Sequence, residues 1–287
     1  SEREIIYRSF AYGDLIDLIM LDTRSIARDL QVSYADFANG GIIDSPSALA
    51  ALNDSNRTLL GRDQLDWVKG NLTNSTARWQ VLGQQVLMAR LSLPEPATRA
   101  LSISLGVEGA LAEATGALLA AVAAKNKAPE ERTPEEQALL DSAIPYNPDA
   151  WDGYGFERDD LLNHAAQLGS RLVVLAGDTH NAWASQLTTA DGTPVGVEFA
   201  CPSVSSPGAE DILGTDNAML FSPIATTLID DLKYADLVNR GYLVLNFTED
   251  EVSSEWQFVS AVDTVEYTLL DGAQTERTVS RENLLLV

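Results

Sequence analysis

The chain has 287 residues, a formal net charge of −23 and an ordinary apolar fraction of 45%. This length can bury a sizeable core, whereas so strong a negative charge disfavours nucleic-acid binding, because phosphate backbones attract Lys and Arg. The single cysteine, Cys201, excludes an intrachain disulfide, and no apolar run is long enough to span a bilayer. Since the chain opens at Ser1 without an initiator methionine or a signal-like segment, we expect a mature, processed or partial product.

The first third of the chain predicts three strands and one helix. Apolar runs at 5–10, 15–21 and 79–89 are typical of buried strands, and apolar residues at helical spacing predict a helix over 59–71. Residues 31–57 are rich in Gly, Ser, Asn and Asp, which predicts a long irregular loop.

Residues 97–142 differ in character, because they are rich in Ala, Leu and Glu. Their spacing predicts two helices, at 100–125 and 134–144, and Thr133 begins an N-terminal signal for the second. Two helices are too few to form a core alone. We therefore interpret this region as a helical insertion or lid on an α/β core rather than as a separate domain.

The second half of the chain predicts one helix and several strands. The helix covers 158–168 and leads into an unbroken apolar run at 172–176, which is typical of a buried strand. Further strands are predicted at 195–200, 241–247 and 252–259, and a final hairpin over 264–287. This succession of helices and strands indicates an α/β fold.

The segment after the 172–176 run carries the strongest chemical signal. The run stops at Gly177, and Asp178 and His180 follow one residue apart. Ligands of α/β proteins bind at the carboxyl ends of strands, and a carboxylate with an imidazole suits Fe, Mn or Zn, with Ca possible through the carboxylate. A structural alternative stays open, in which Asp178 caps a helix and His180 packs against Trp183.

Asp22 and Arg24 form a second candidate site, because they also end a predicted buried strand. A guanidinium in this position could hold a phosphoryl oxygen in two-point geometry. The alternative is a structural ion pair between the two residues at the rim of the sheet.

Other polar segments favour structural roles. Gln84 and Gln85 interrupt an apolar run and must be hydrogen-bonded, either lining a site or satisfying loop backbone. The aromatic turn Trp151–Tyr154 is more typical of packing than of substrate contact. His164 lies on a predicted helix as a packing or surface residue, and the Ser-rich loop 203–208 has no base adjacent to it in the sequence.

Eight short segments stand in a characteristic order along the chain. They are Tyr7-Arg8-Ser9-Phe10 with Gly13-Asp14, Met20-Leu21-Asp22-Thr23-Arg24, Leu60-Gly61 with Leu65 and Trp67, Trp79 with Val81 to Val86, Trp151-Asp152-Gly153-Tyr154, Gly177 to Trp183, Glu198-Phe199 with Pro202-Ser203-Val204, and Arg240-Gly241-Tyr242. Their order and spacing resemble the PhoD-type alkaline phosphatases, a branch of the metallophosphoesterases, over most of residues 5–260. The helical region 97–142 is the least similar part.

The resemblance implies a metallophosphoesterase-like four-layer αββα sandwich, with two central sheets flanked by helices. It implies hydrolysis of phosphate monoesters or diesters by a metal-bound water or hydroxide, with iron and calcium as cofactors, in a periplasmic or extracellular protein. Asp178 and His180 match the family's late metal-binding motif. Arg24 matches its phosphate-contacting arginine, with Asp22 carried over as the neighbour, which makes Arg24 and Asp22 the candidate catalytic residues.

One departure from the family pattern concerns the early metal ligands. The family's cysteine, its aspartate with a tyrosine three residues on, and its asparagine would all precede Tyr7, and Cys201 lies in the wrong place to substitute. A two-metal site needs more ligands than Asp178 and His180 give. We therefore expect residues 1–287 to be the C-terminal part of one domain, completed by an N-terminal half on a separate or cleaved chain.

Two alternatives to this function stay open. A non-catalytic or degenerate homologue would keep the fold and bind a phosphorylated ligand or another protein. A phosphodiesterase or phospholipase D-like enzyme would keep the chemistry but change the substrate, since specificity depends on the shape of the pocket.

Overall fold

The computed structural model describes residues 5–270, 275–280 and 286. In chain order its strands are β1 (Arg8–Tyr12), β2 (Ile16–Met20), β3 (Ala38–Asn39), β4 (Ile42–Ile43), β5 (Trp79–Gly83), β6 (Ser92–Leu93), β7 (Ile144–Pro145), β8 (Leu172–Ala176), β9 (Ala182–Thr188), β10 (Pro194–Ala200), β11 (Leu232–Asp236), β12 (Arg240–Phe247), β13 (Glu251–Val259) and β14 (Thr275–Ser280). Its α-helices are α1 (Ser45–Leu52), α2 (Arg62–Asn74), α3 (Glu95–Ser102), α4 (Ala110–Lys125), α5 (Pro134–Asp141), α6 (Gly155–Leu168), α7 (Ala209–Leu213) and α8 (Thr215–Leu228). Short 3₁₀ helices lie at Tyr34–Phe37, Pro129–Glu131 and Trp151–Tyr154.

Seven strands form one large sheet in the order β1-β2-β5-β8-β10-β9-β11. The central strands β2, β5, β8 and β10 run parallel to one another, whereas β1 at one end and β9 and β11 at the other are antiparallel to their neighbours. Parallel strands are buried on both faces, which accounts for the apolar runs of β5 and β8. This order brings the carboxyl ends of four strands to one edge.

Helices cover one face of the large sheet. Alternate strand residues, including Ile19, Leu82 and Val174, face this layer, as the two-residue period of a strand requires. Helices α2, α6 and α8 bring apolar residues to the same core, among them Val68, Leu72, Leu161, Leu162, Phe221 and Ile224. Because each such side chain contributes about 1.5–3 kcal/mol when fully buried, this layer is a main source of stability.

A three-stranded antiparallel sheet, β12-β13-β14, covers the other face of the large sheet. Its central strand alternates buried and more exposed residues, and Trp256 packs edge-on against Phe199 of β10. Two indole groups link the sheets by hydrogen bonds, since Trp256 Nε1 donates to Ala200 O at 2.9 Å and Trp79 Nε1 donates to Thr248 O at 2.7 Å.

Three layers are therefore present in the described part of the chain, namely helices, the large sheet and the small sheet. This mixed α/β architecture, with a parallel centre, agrees with the predicted fold class. The helical fourth layer of an αββα sandwich, and the assignment of the chain to the C-terminal part of one domain, stay predictions.

The region 97–142 contains residues of three α-helices, α3, α4 and α5, so the prediction of two helices is wrong. Helices α3 and α4 are separated by a turn in which Gly106 and Gly109 have φ values of 91° and 87°, a region that favours glycine. Helix α5 begins after the predicted signal, because the Thr133 side chain accepts from the Glu136 N–H in a capping box.

Helices α3 and α4 share the main core rather than forming their own. Ala97 of α3 and Leu118 of α4 are buried in the cluster that also contains the helical face of the large sheet. The description of 97–142 as an insertion relative to the family stays a prediction.

Several elements differ from those that the local apolar pattern predicts. The predicted strand at 79–89 ends at Gly83, because the following apolar residues are buried in a loop rather than paired. The predicted loop at 31–57 contains α1 and the short β3-β4 pair. Strands β9 and β11 and helix α8 have no counterpart among the predictions.

The hairpin predicted over 264–287 is described only in part. Strand β14 pairs antiparallel with β13, while residues 271–274, 281–285 and 287 lie outside the described residues. Within the part of the chain that is described, no helix combines the length and the apolar character needed to cross a bilayer.

Candidate active site

The segments that follow the parallel strands lie side by side at the carboxyl edge of the large sheet. Pairing continues beyond β2 and β5, since the Leu21 N–H donates to Gly83 O at 2.8 Å. Residues 22–24, 84–85 and 177–181 therefore meet at this edge, where α/β proteins bind ligands. The structure thus brings together both pairs of candidate residues.

Asp22 is buried and holds the turn after β2. Its Oδ1 atom accepts from the backbone N–H groups of Arg24 at 2.9 Å and Ser25 at 2.8 Å, and its own N–H donates to Gln64 Oε1 at 2.7 Å. Only 1% of Asp22 is exposed. The alternative that the sequence left open, an ion pair between the Asp22 and Arg24 side chains, is replaced by this contact between the carboxylate and the backbone.

The Arg24 guanidinium joins two carboxylates from distant parts of the chain. It donates to both oxygens of Asp149, at 2.9 and 2.6 Å, and forms an ion pair with Asp178. Arg28 also pairs with Asp149 and donates to its carbonyl oxygen at 2.7 Å. Burial alone would raise the pKa of Asp149, but hydrogen bonds and charge from Arg24 and Arg28 outweigh it and lower that pKa.

His180 lies just beyond Asp178 with an unusual backbone conformation. Its φ of 59° is in the left-handed region, which costs a non-glycine residue energy and often marks a functional position. Its Nδ1 atom lies 2.6 Å from the carbonyl oxygen of Pro207. Because a carbonyl can only accept, Nδ1 carries the proton, and Nε2 of the neutral ring keeps its lone pair.

The Ser-rich loop at 203–208 supports His180 rather than supplying a nucleophile. Ser203 Oγ accepts from the N–H groups of Ser205 at 3.0 Å and Ser206 at 2.7 Å, which shapes the loop. Arg240 binds Ser206 O and the side chain of Glu210. This network fixes the carbonyl of Pro207 against the imidazole.

Gln84 and Gln85 form hydrogen bonds with the loops around the site. Gln85 Oε1 accepts from Thr23 N–H at 2.8 Å and from Thr23 Oγ1 at 2.6 Å, and its amide donates to Leu21 O at 3.1 Å. Gln84 Oε1 accepts from Trp151 Nε1 at 2.8 Å. Gln85 thus has the structural role that its position in an apolar run indicates, whereas Gln84 Nε2 is buried without a hydrogen-bond partner among the described residues.

The aromatic turn Trp151–Tyr154 is packed, as expected. All four residues are buried, and Tyr154 Oη donates to Asp29 O at 2.7 Å. A Cβ atom at Gly153 would stand 1.8 Å from Pro148 O, so the turn requires glycine. Asp149, which binds Arg24, lies two residues before this turn.

A buried acid holds the loop that follows Gln85. Glu198 Oε1 accepts from Met88 N–H at 2.6 Å and Oε2 from Ala89 N–H at 2.9 Å, while Arg158 Nε donates to Met88 O at 2.6 Å. Burial raises the pKa of Glu198 to about 7, against the opposing effect of the two N–H groups. Glu198 therefore stabilises the loop after Gln85 but does not itself line the site.

The remaining candidates lie away from this edge or add no ligand. His164 contacts Thr73 Oγ1 at 3.0 Å and Lys69 O at 3.2 Å, between α6 and α2. Burial raises the pKa of the Cys201 thiol. Within residues 5–270, 275–280 and 286, no three His, Cys, Asp or Glu side chains form a group that could hold a metal.

Sequence reasoning missed three contributors to the site. Asp149 and Arg28 complete the ion-pair network, and Pro207 orients the imidazole. The proximity of Asp149 to the Trp151–Tyr154 motif was a weak local signal, but nothing in the sequence linked it to Arg24. Pro207 acts through its backbone, which no side-chain pattern reveals.

Comparison with known proteins places this geometry in a family. A PhoD-like phosphatase model matches residues 1–256. Alkaline phosphatase D of Bacillus subtilis (strain 168) is 30% identical over an alignment of 226 residues, and this alignment covers 76% of this chain and 29% of that protein. A solved structure of PhoD shares the fold, with a TM-score of 0.63 and 22% identity over 99% of this chain and 44% of that chain.

The chain spans less than half the length of these two relatives. The family match nevertheless covers most of its residues, including both segments that meet at the carboxyl edge. This chain therefore belongs to the PhoD-like phosphatase family.

Proposed function

We propose that this chain forms part of a metal-dependent phosphoesterase that hydrolyses phosphate monoesters, diesters or both. The observation that carries the proposal is the ion pair between Arg24 and Asp178, beside His180, at the carboxyl edge of the parallel strands. A guanidinium fork, a carboxylate and an imidazole are the groups that recognise phosphate and bind metal ions. Family membership supports the same reaction class.

The donor chemistry of Asp178 and His180 suits a metal ion. The Asp178 side chain is 35% exposed, and the Nδ1 contact to Pro207 leaves His180 Nε2 as the ligand atom. An oxygen with a nitrogen suits iron, whereas calcium takes oxygen and would use the carboxylate. Because two donors are too few, we propose that iron and calcium are held jointly with ligands from the segment that the family pattern places before Tyr7.

The residues of this chain then have distinct roles. A bound metal ion supplies a water of lowered pKa and positive charge toward the phosphoryl group. Arg24, anchored by Asp149, donates N–H groups to phosphoryl oxygens and stabilises negative charge that develops on them. Asp22 positions Arg24 through its backbone, and Gln85 holds Thr23 between them.

This positive charge matters because the chain as a whole carries −23. Such a field disfavours the approach of an anionic substrate. Arg24 and Arg28 lie together at the site, where Asp149 and Asp178 balance their charge, so bound metal ions would supply the net local positive charge. We also propose, from the family resemblance, that the protein functions in the periplasm or outside the cell.

The test combines metal content with hydrolysis of an aryl phosphate monoester and an aryl phosphate diester. We expect chelation to abolish both activities, iron with calcium to restore them, and Asp178→Asn to remove activity and bound metal together. The exposed Asp66→Asn serves as a control, since 65% of that side chain is exposed. Full hydrolysis by metal-free protein, or by Asp178→Asn, would overturn the proposal.

The same samples distinguish a non-catalytic homologue. That alternative is favoured by the lack of a third ligand in the described part of the chain. It predicts that inorganic phosphate binds while neither ester is hydrolysed after metal addition. Intact-mass analysis of the purified sample would show whether a second polypeptide accompanies the active form.

A further inference from the structure

An apolar cavity of about 310 Å³ lies beside the candidate active site. Asp178 and His180 form part of its wall. Helices α3, α4, α7 and α8 supply eight further lining residues, which include Leu101, Leu118, Leu213, Phe221 and Ile224. The polar end of the cavity therefore coincides with the residues proposed to hold metal, and its body is apolar.

Two buried donors in the wall have no acceptor. Asn181 and Trp183 are only 2% and 6% exposed, and both line the cavity. Among the described residues, neither Asn181 Nδ2 nor Trp183 Nε1 finds a hydrogen-bond partner. Unsatisfied buried donors are costly and call for an explanation. Both donor atoms lie beneath the surface of the wall, so a ligand in the cavity as it stands would contact other atoms of these two side chains.

The cavity has an apolar approach from solvent. A neighbouring hollow of about 580 Å³ shares Leu101, Ile212 and Leu213 with it. Ile212 is 65% exposed, so apolar surface continues from the outside of α7 to the cavity. Polar side chains, among them Gln31 and Asn147, also line this approach, but most of its lining residues are apolar.

We infer that this cavity binds the apolar part of the phosphoester substrate, an alkyl or aryl group. The inference rests on the proposed function, because Arg24 and the metal that Asp178 and His180 would hold would bind the phosphoryl end. The net charge of −23 does not attract an anionic substrate. Burial of apolar surface in the cavity would supply binding affinity that long-range electrostatic attraction does not. The ligand class is thus an amphiphilic phosphoester rather than a fully polar one.

The test is calorimetric binding of methyl-, propyl- and hexylphosphonate to the purified protein with its metal ions. Each buried methylene strengthens binding roughly fourfold. Hexylphosphonate should therefore bind at least about a hundredfold more tightly than methylphosphonate. Ile224→Trp fills the cavity and should reduce this ratio to below about tenfold, because added volume in a packed space is excluded.

Two further variants keep the test informative. Met219→Trp lies on the same helix with 61% exposure and outside the cavity wall, so it should keep the native dependence on chain length. Leu213→Trp fills the cavity from α7, should also reduce the ratio, and replaces Ile224→Trp if thermal unfolding shows that variant to be misfolded.

The outcomes separate this inference from the proposed function. Equal affinity for all three phosphonates would overturn the inference and leave the proposed function intact. Failure of the native protein to bind even methylphosphonate would contradict the proposed function, and the inference with it. Hexanol binding as tightly as hexylphosphonate would overturn the assignment of the cavity to a phosphoester.

Discussion

Arg24 and Asp178 form an ion pair across the carboxyl edge of the large sheet. Arg24 follows β2 and Asp178 follows β8, and β5 lies between these strands in the sheet. The parallel order of the three strands turns two weak local patterns into one site. The same guanidinium also binds Asp149, so its position is set by partners from two directions.

The role of the Arg24 guanidinium can be tested by a substitution that keeps its positive charge but removes its planar, two-point donor geometry. Arg24→Lys loses the planar two-point donor, and we expect kcat/KM for an aryl phosphate to fall about ten- to hundredfold, as for loss of a charge-assisted hydrogen bond worth about 1.5–3 kcal/mol. Arg62→Lys, at a side chain that is 90% exposed, should leave kcat/KM unchanged. Equal values for native protein and Arg24→Lys would contradict the role.

Asp22 should act by positioning rather than by its charge. Asp22→Asn keeps an Oδ1 acceptor for the N–H groups of Arg24 and Ser25, so we expect it to retain hydrolysis. Asp22→Ala removes that acceptor and should lower the free energy of unfolding by about 1 kcal/mol, with a loss of rate. Abolished hydrolysis in a normally folded Asp22→Asn variant would instead make the carboxylate itself catalytic.

Two substitutions of His180 distinguish the effect of its backbone strain on stability from the effect of its imidazole on metal binding. His180→Gly and His180→Ala lose the same imidazole, but only alanine must hold a side chain at a φ of 59°. We expect urea unfolding to show His180→Gly to be more stable than His180→Ala by about 1 kcal/mol. Both variants should lose bound metal equally. A more stable alanine variant would show that this conformation is not retained.

Glu198 should make stability depend on pH. Its folded pKa of about 7 lies above the ordinary value of 4.5, so its stabilising contribution is complete below about 4.5 and is lost as pH rises through about 7. Relative to Glu198→Gln, the native protein should therefore lose free energy of unfolding over this range, on the order of 3 kcal/mol.

The check on Glu198 is the difference between the two unfolding curves at each pH. The glutamine amide would face one of the N–H groups of Met88 and Ala89, which lowers stability by an amount that does not depend on pH. Glu249→Gln is the control, because 71% of that side chain is exposed. A pH-independent difference for Glu198→Gln would mean that the buried acid does not titrate in this range.

The local sequence pattern correctly predicted features that depend on residues close together in the chain. The run at 172–176 is a strand, Thr133 caps a helix, and Asp178 and His180 follow a buried strand. The same reasoning extended the strand at 79–89 too far, because apolar residues in a buried loop look like apolar residues in a strand. It missed β9, β11 and α8 altogether.

The sequence by itself determined the α/β class, the two polar segments at strand ends and the family, because these depend on apolar periodicity and on the order of motifs. Only the tertiary structure decided that Arg24 meets Asp178 and Asp149, that Asp22 binds backbone, and that Pro207 orients His180. The physical reason is that these contacts join residues far apart in the chain. Sheet order and loop packing set such contacts, and no local pattern encodes them.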